Sequence, residues 1–213
     1  IHAYLSFVSG MNGGAIYDVK NNQRQDYFLL DGKCCIEIMN VYKDMDVLFW
    51  ILDGHIRYTN RSDEATRQDA AIYKEEEREV DMFAFVKDRQ VNKLIIHCHP
   101  EDMEEIKSRA KRIKNDAYVG FSTASNLFEF VYPRINKGTG LEKICEHFTI
   151  DLDEVIAFGD ELNDVEMLKK AGIGVCMQNG LDEVKAISDY VSPYTNEEDA
   201  LAKYINAYIL KEE

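Results

Sequence analysis

No stretch of this chain approaches the ~20 consecutive apolar residues needed to span a bilayer, and no charged-then-apolar leader opens it. The expectation is a soluble globular protein with no membrane partner and the cytoplasm as its default compartment. No C-x-x-C pair occurs among the five cysteines, Cys34, Cys35, Cys98, Cys145 and Cys176. Most of them lie in apolar runs, which argues for buried reduced thiols and against a disulfide framework. Positive charge is scarce: 25 Lys and Arg stand against 39 Asp and Glu, a formal net charge of −14. Such a surface repels nucleic acid and anionic membranes. The one basic cluster, Lys107, Arg109, Lys111, Arg112 and Lys114, follows acids on a predicted helix and reads as a solvated face. Internal repeats and low-complexity linkers are also missing.

What is present is a chain of 213 residues, 46% hydrophobic, enough for one large domain or two smaller ones. The most informative stretch is Val155-Ile156-Ala157-Phe158-Gly159-Asp160-Glu161-Leu162-Asn163-Asp164. An apolar run that ends in Gly and is followed by a helical pattern (Val165, Leu168, Ala171) reads as a buried parallel strand delivering its carboxyl end to a loop. In open α/β sheets, ligands sit at that end. The loop offers only oxygen chemistry, from Asp160, Glu161, Asn163 and Asp164, with no His or Cys nearby. Hard oxygen ligands suit Mg²⁺ far better than zinc, and Mg²⁺ usually binds through one or two carboxylates plus substrate phosphate. Acidic loops after strands also serve as solvated helix caps.

Taken in order, Tyr4 to Val8 is β-prone, Ser9 to Gly14 is a turn cluster, and Ala15 to Tyr17 is a second β run. Asn12-Gly13 favours positive φ, and reads either as a hairpin turn or as a backbone-lined loop near a ligand. From about residue 21 to 126 the pattern is mixed. A helix over Lys33–Tyr42 precedes a hairpin built from Val47–Leu52 and His55–Tyr58, and a charged helical stretch spans Asp63–Glu79. A strand at Lys93–Cys98 leads into a helix at Glu101–Ile113, with β runs at Ala117–Thr123 and Leu127–Tyr132 after it. This order predicts a mostly antiparallel α+β unit. His97-Cys98-His99 would put both imidazoles on one strand face, but no second His or Cys cluster completes a tetrahedral site, so packing or strand-end roles are expected.

After Pro133 the pattern is regular. Helices are expected at Gly138–Phe148, Asp164–Ala171, Leu181–Ser188 and Glu197–Leu210, the last capped by Asn196. They alternate with strands at Val155–Phe158, Ile173–Met177 and Tyr190-Val191, which implies a parallel βαβ arrangement. The two ends of the chain (1–20 and 127–213) then form one α/β domain, with 21–126 as an insert.

These residues carry a resemblance. Asn136-Lys137-Gly138-Thr139-Gly140-Leu141, Gly159-Asp160-Glu161-Leu162-Asn163-Asp164-Val165-Glu166-Met167-Leu168 and Met177-Gln178-Asn179 resemble the Cof-type subfamily of the haloacid dehalogenase superfamily. Ser9 to Ala15 looks like its Asn-Gly-Ala segment before the cap insert. The resemblance covers nearly the whole chain. It implies an α/β fold, a Rossmann-type parallel sheet with an inserted α+β cap, and Mg²⁺-dependent hydrolysis of small phosphate monoesters such as sugar phosphates or nucleotides. It implies that Lys137 neutralises the phosphate and the attacking carboxylate, and that Asp160 and Asp164 hold Mg²⁺ directly or through water. By the same resemblance Asn163 contacts phosphate, and Asn12 and Asn179 line the substrate site. Phosphoryl transfer asks mainly for positioning and charge neutralisation, which an ammonium, a divalent cation and a carboxylate nucleophile supply.

The family's nucleophile lies in an N-terminal Asp-x-Asp motif, and this chain begins at Ile1 with no Asp-x-Asp-Gly-Thr run. Asp44-Met45-Asp46 and Asp151-Leu152-Asp153 have the spacing but fall in an expected loop of the insert and in a helix-to-strand connection. The expectation is a chain whose front part, with the nucleophile, lies outside this sequence. The other readings are a non-catalytic module that binds Mg²⁺ and phosphate, and a phosphomutase or sugar-phosphate transferase on the same scaffold.

Overall fold

A computed structural model describes residues 6–210; Tyr4 and Leu5, the start of the expected first strand, lie outside them. The chain divides into two units, one formed by Ile1–Gln25 with Ile135–Glu213, the other by Asp26–Arg134. No helix among the described residues is long and apolar enough to cross a membrane.

The first unit opens with β1 (Phe7–Gly10) and β2 (Ala15–Asp18), an antiparallel hairpin that β3 (Gln23–Asp26) extends to three strands. Its turn runs through Met11, Asn12 and Gly13 at φ of 52°, 53° and 97°, so the Asn-Gly pair supplies the left-handed backbone that the sequence advertised.

The second unit begins with β4 (Leu30–Asp31), α1 (Gly32–Tyr42), β5 (Leu48–Asp53), β6 (Ile56–Thr59) and α2 (Glu64–Ile72). It continues through β7 (Glu76–Glu79), α3 (Met82–Val86), β8 (Gln90–Val91), β9 (Lys93–His97), α4 (Met103–Arg112), β10 (Val119–Ala124) and β11 (Leu127–Val131). Six strands form one sheet in the order β10-β11-β9-β5-β6-β7. One face of the sheet carries Phe49, Ile51, Leu94, Ile96, Phe128 and Phe130, packed against Cys35, Ile38, Met39 and Tyr42 of α1 and Met103 and Ile106 of α4. The opposite face bears a smaller apolar cluster, Leu48, Trp50 and Ile95.

Two expectations change here. The helix expected over Asp63–Glu79 stops at Ile72, and Glu76–Glu79 becomes a strand parallel to β6. Parallel neighbours need a crossover, and α2 supplies it; an exposed strand reading Glu-Glu-Arg-Glu has no apolar alternation to betray it. The division expected at 126/127 falls between β10 and β11, which pair as a hairpin, and β11 is also laddered to β9. Strand pairing therefore keeps Leu127–Val131 in the inserted unit, which runs on to Arg134.

The first unit resumes with α5 (Lys137–Phe148), β12 (Ile156–Gly159), α6 (Val165–Lys170), β13 (Ile173–Cys176), α7 (Asp182–Lys185), β14 (Tyr190–Val191) and α8 (Ala200–Tyr204). The strands β12-β13-β14 form a parallel sheet, with Ile156 opposite Ile173 and Gly159 opposite Cys176. Ala157, Leu168, Ala171, Cys176 and Val184 form its buried core. This is the α/β architecture the alternation implied. The last expected helix is broken: Asn196–Glu198 is a 3-10 turn capped by Thr195, Asp199 takes a left-handed φ of 57°, and a π-helical stretch, Ile205–Ile209, follows α8. Asn196 is therefore no helix cap.

All five cysteines are free. Burial pushes the Cys35 thiol up to about 12 and raises the others, so they stay protonated.

Candidate functional site at the carboxyl end of β12

The apolar strand β12 ends at Gly159, and the chain turns at Glu161 into a 3-10 turn, Leu162–Asp164, that runs into α6. Asp164, 3% exposed, folds back over the start of that turn. Its Oδ2 accepts the backbone N–H groups of Asp160 and Glu161 at 3.1 Å each. A Cβ on Gly159 would lie 2.5 Å from the Asp164 Cβ, so only glycine lets the carboxylate sit there. The other oxygen, Oδ1, accepts from Lys137 Nζ.

Lys137 is the first residue of α5. Asn136 caps that helix reciprocally: its Oδ1 accepts from Thr139 N at 2.9 Å, and Thr139 Oγ1 accepts from Asn136 N at 3.1 Å. The helix N-terminus, with its partial positive charge, thus lies beside an ammonium group. The β1–β2 turn packs on the same point. A Cβ on Gly13 would meet Asn136 O at 2.3 Å, and Gly140 N at 2.9 Å.

A cavity of about 470 Å³ opens between these elements, with Ser9, Asn12, Lys137, Phe158, Asp164 and Met167 in its lining. Of the two sequence readings of Asn12-Gly13, the hairpin turn is what the structure shows, and that turn borders the cavity.

The structure brings Asn12, Lys137 and Asp164 together around that cavity and places the other expected residues apart. Asp160 belongs to a second hydrogen-bonded chain, in which its Oδ2 accepts from Asn196 Nδ2 at 3.1 Å. Asn196 is held in turn by Asn179, through Asn179 Nδ2 to Asn196 Oδ1 at 3.0 Å and Asn196 N to Asn179 Oδ1 at 3.1 Å. Asn163 is exposed on the 3-10 turn and lines neither. Asn196 was the residue that sequence reasoning missed as a member of this group. Its contact with Asp160 spans 36 positions, and the only local signal, a polar residue before an amphipathic stretch, pointed to a cap.

Cys176, opposite Gly159 in the sheet, is fully buried, and burial raises its thiol pKa, so it offers no thiolate. Among the described residues no cluster of three or more His, Cys, Asp or Glu side chains is arranged to hold a metal. The chemistry on offer is one ammonium, two carboxylates and several amides at a strand's carboxyl end. His97, from the tempting His97-Cys98-His99 run, stacks on Trp50 and bonds to Asn126 in the inserted unit.

Residues 2–205 match the haloacid dehalogenase-like hydrolase family. Among curated proteins, the 5-amino-6-(5-phospho-D-ribitylamino)uracil phosphatase YitU of Bacillus subtilis (strain 168) is 36% identical over 120 residues, 55% of this chain and 44% of the relative. A second phosphatase of that name and organism, YcsE, is 45% identical over 76 residues, 36% of this chain and 30% of the relative. The chain thus spans less than half the length of these curated relatives. A crystal structure of a haloacid dehalogenase-like hydrolase from Bacteroides thetaiotaomicron superposes with a TM-score of 0.81 at 25% identity, over 96% of this chain and 77% of that one.

Proposed function

The chain belongs to the haloacid dehalogenase-like hydrolases, and on that premise we propose that its protein is a Mg²⁺-dependent phosphohydrolase of small phosphorylated metabolites. The observation that carries the reading is the meeting of Lys137 with Asp164, from a helix N-terminus and a strand's carboxyl end, at the wall of a cavity. A phosphate entering there meets an ammonium and a helix N-terminus, the two features that most favour a dianion.

In this reading Lys137 neutralises the phosphoryl oxygens and Asn12 donates to them, Asn163 lying off the cavity, while Asn179 holds Asn196 and through it the Asp160 carboxylate. A carboxylate nucleophile from an aspartate N-terminal to Ile1 attacks phosphorus and the ester oxygen leaves. Water then attacks the aspartyl-phosphate and releases inorganic phosphate, restoring the carboxylate.

The donor set fits a divalent cation. Asp160 and Asp164 supply hard carboxylate oxygens, and each carboxylate has acceptor sites beyond those its protein partners use. Two carboxylates plus substrate oxygens is the usual complement for Mg²⁺. When bound, the ion would offset charge on the phosphoryl oxygens.

Sugar phosphates, nucleotides and the phosphoribitylamino-uracil named for the relatives form the substrate panel. The test is hydrolysis of p-nitrophenyl phosphate, and then of that panel, by the full-length protein with Mg²⁺ and with EDTA. Mg²⁺-dependent turnover lost in Lys137→Ala and Asp160→Ala is the expected result. Turnover that survives both substitutions overturns the assignment, and binding of phosphate without turnover points to a module that no longer catalyses.

A further inference from the structure

The face of the six-stranded sheet away from α1 and α4 carries a second cavity, about 290 Å³, wholly within the inserted unit. Its floor is apolar: Trp50, Leu52, Ile95 and Leu127. Its volume falls at the lower edge of the range for small-molecule sites.

The charges around it are already matched. Arg57, 3% exposed, lies with its guanidinium 4.0 Å over the Trp50 ring. Its Nη1 reaches Asp69 at 2.7 Å, and its Nη2 and Nε reach Glu75 at 2.6 and 2.7 Å. These bonds tie α2 and the turn after it to the sheet as one wall, so Arg57 builds the pocket and has little left to give a ligand. Lys93 is paired with Glu129 at 2.9 Å, and both are largely buried. The ring of His97 stacks on Trp50 at 4.5 Å, and its Nε2 faces Asn126 Nδ2 at 3.1 Å. Burial lowers the His97 pKa, which keeps the imidazole neutral near pH 7.

Two cations and three carboxylates line the cavity, and each cation is bonded to a carboxylate. A phosphate or carboxylate would find no free cation here and would meet a net negative wall. Asp69 is 45% exposed at the rim and keeps acceptor sites that Arg57 does not use. Tyr73, 66% exposed, adds an aromatic surface beside it. The lining is thus rich in acceptors, apolar at its base and unable to neutralise an anion.

We propose that this cavity binds an uncharged group rich in N–H and O–H donors with one apolar face, of the size and kind of a nucleoside. The proposal concerns the inserted unit alone and stands independently of the hydrolase reading, because no phosphate is involved.

Adenosine is the probe, and adenosine-5′-carboxylic acid is its anionic counterpart with the same rings. Trp50 is the sole tryptophan of the chain, so its emission and its one indole N–H signal in a nitrogen–proton NMR spectrum report this cavity directly. Adenosine is expected to bind the full chain saturably in a calorimetric titration and to shift the Trp50 signal. The carboxylate should bind about tenfold more weakly or worse. Ala124→Phe, at an exposed rim position, should weaken adenosine binding while leaving the far-ultraviolet circular dichroism unchanged. The proposal is overturned by a Trp50 signal that adenosine does not move, by equal or tighter binding of the carboxylate, or by a folded Ala124→Phe variant that binds as before.

Discussion

Lys137 and Asp164 lie 27 positions apart and form an ion pair in which the aspartate side chain is 4% exposed and the lysine 36%. The asymmetry matters. The aspartate is committed to the protein through two backbone N–H groups as well, while the lysine keeps a face toward the cavity. A buried carboxylate thus holds an ammonium in place without enclosing it.

Replacing that ammonium should hurt chemistry more than folding. Lys137→Ala leaves Asp164 with its backbone donors, so the fold persists, while kcat of the full-length protein on p-nitrophenyl phosphate should fall by about 10²–10³-fold. Steady-state kinetics decide it. A raised KM with unchanged kcat means that Lys137 only binds substrate.

The two carboxylates proposed to hold Mg²⁺ should separate when truncated. Asp160→Ala loses one hydrogen bond to an exposed asparagine, so activity should vanish with little change in the urea midpoint. Asp164→Ala leaves the N–H groups of Asp160 and Glu161 without their acceptor and should cost about 1–3 kcal/mol in addition. Urea unfolding of both variants side by side is the check, and equal midpoints would contradict the account of Asp164.

Gly13 should tolerate no side chain. Its φ of 97° is unfavourable for an L residue, and a Cβ would sit 2.3 Å from Asn136 O. Gly13→Ala is expected to destabilise the first unit by on the order of 3 kcal/mol. It should also lower activity by moving the capped start of α5. A variant as stable as the parent in urea would mean that the turn does not press on the helix.

His97 should make the inserted unit sensitive to mild acid. Burial depresses its pKa from the ordinary 6.5, with the Arg57 and His99 charges adding to the effect and Asp69 opposing it. Below pH 6.5 the unfolded chain binds a proton at this site that the folded chain resists. The stability is therefore complete above that value and declines as pH falls from it through the folded pKa. His97→Gln should flatten the urea midpoint of the inserted unit across that window. Parallel slopes for the two proteins would remove His97 from the account.

The site around β12 was legible in the sequence because its chemistry is local. An apolar run, a glycine and a cluster of acids fall within ten residues, and Lys137 stands at a helix start that Asn136 and Thr139 mark. Asn12-Gly13 was legible as a turn for the same reason. Its placement against Asn136 was not, since nothing within the turn encodes a neighbour more than a hundred residues away. The second cavity was hidden for another reason. The strand Leu48–Asp53 is apolar on both faces, so alternation could not show that Trp50 and Phe49 look in opposite directions. The pairing of Arg57 with Asp69 and Glu75 depends on a crossover that the charged run after Asp63 disguised as one long helix.

The division of the chain also bears on the order in which it folds. One unit is a single continuous segment, Asp26–Arg134, while the other is assembled from both sides of it. On a ribosome the inserted unit is complete before α5 emerges, and domains fold as units as they are made. The hairpin at Gly13 must wait for Asn136, across a loop whose closure entropy depends on its effective length. A pre-folded insert shortens that loop to the distance between its own two ends. Damage within the insert should therefore slow maturation of the β12 site even where it leaves every residue of that site untouched.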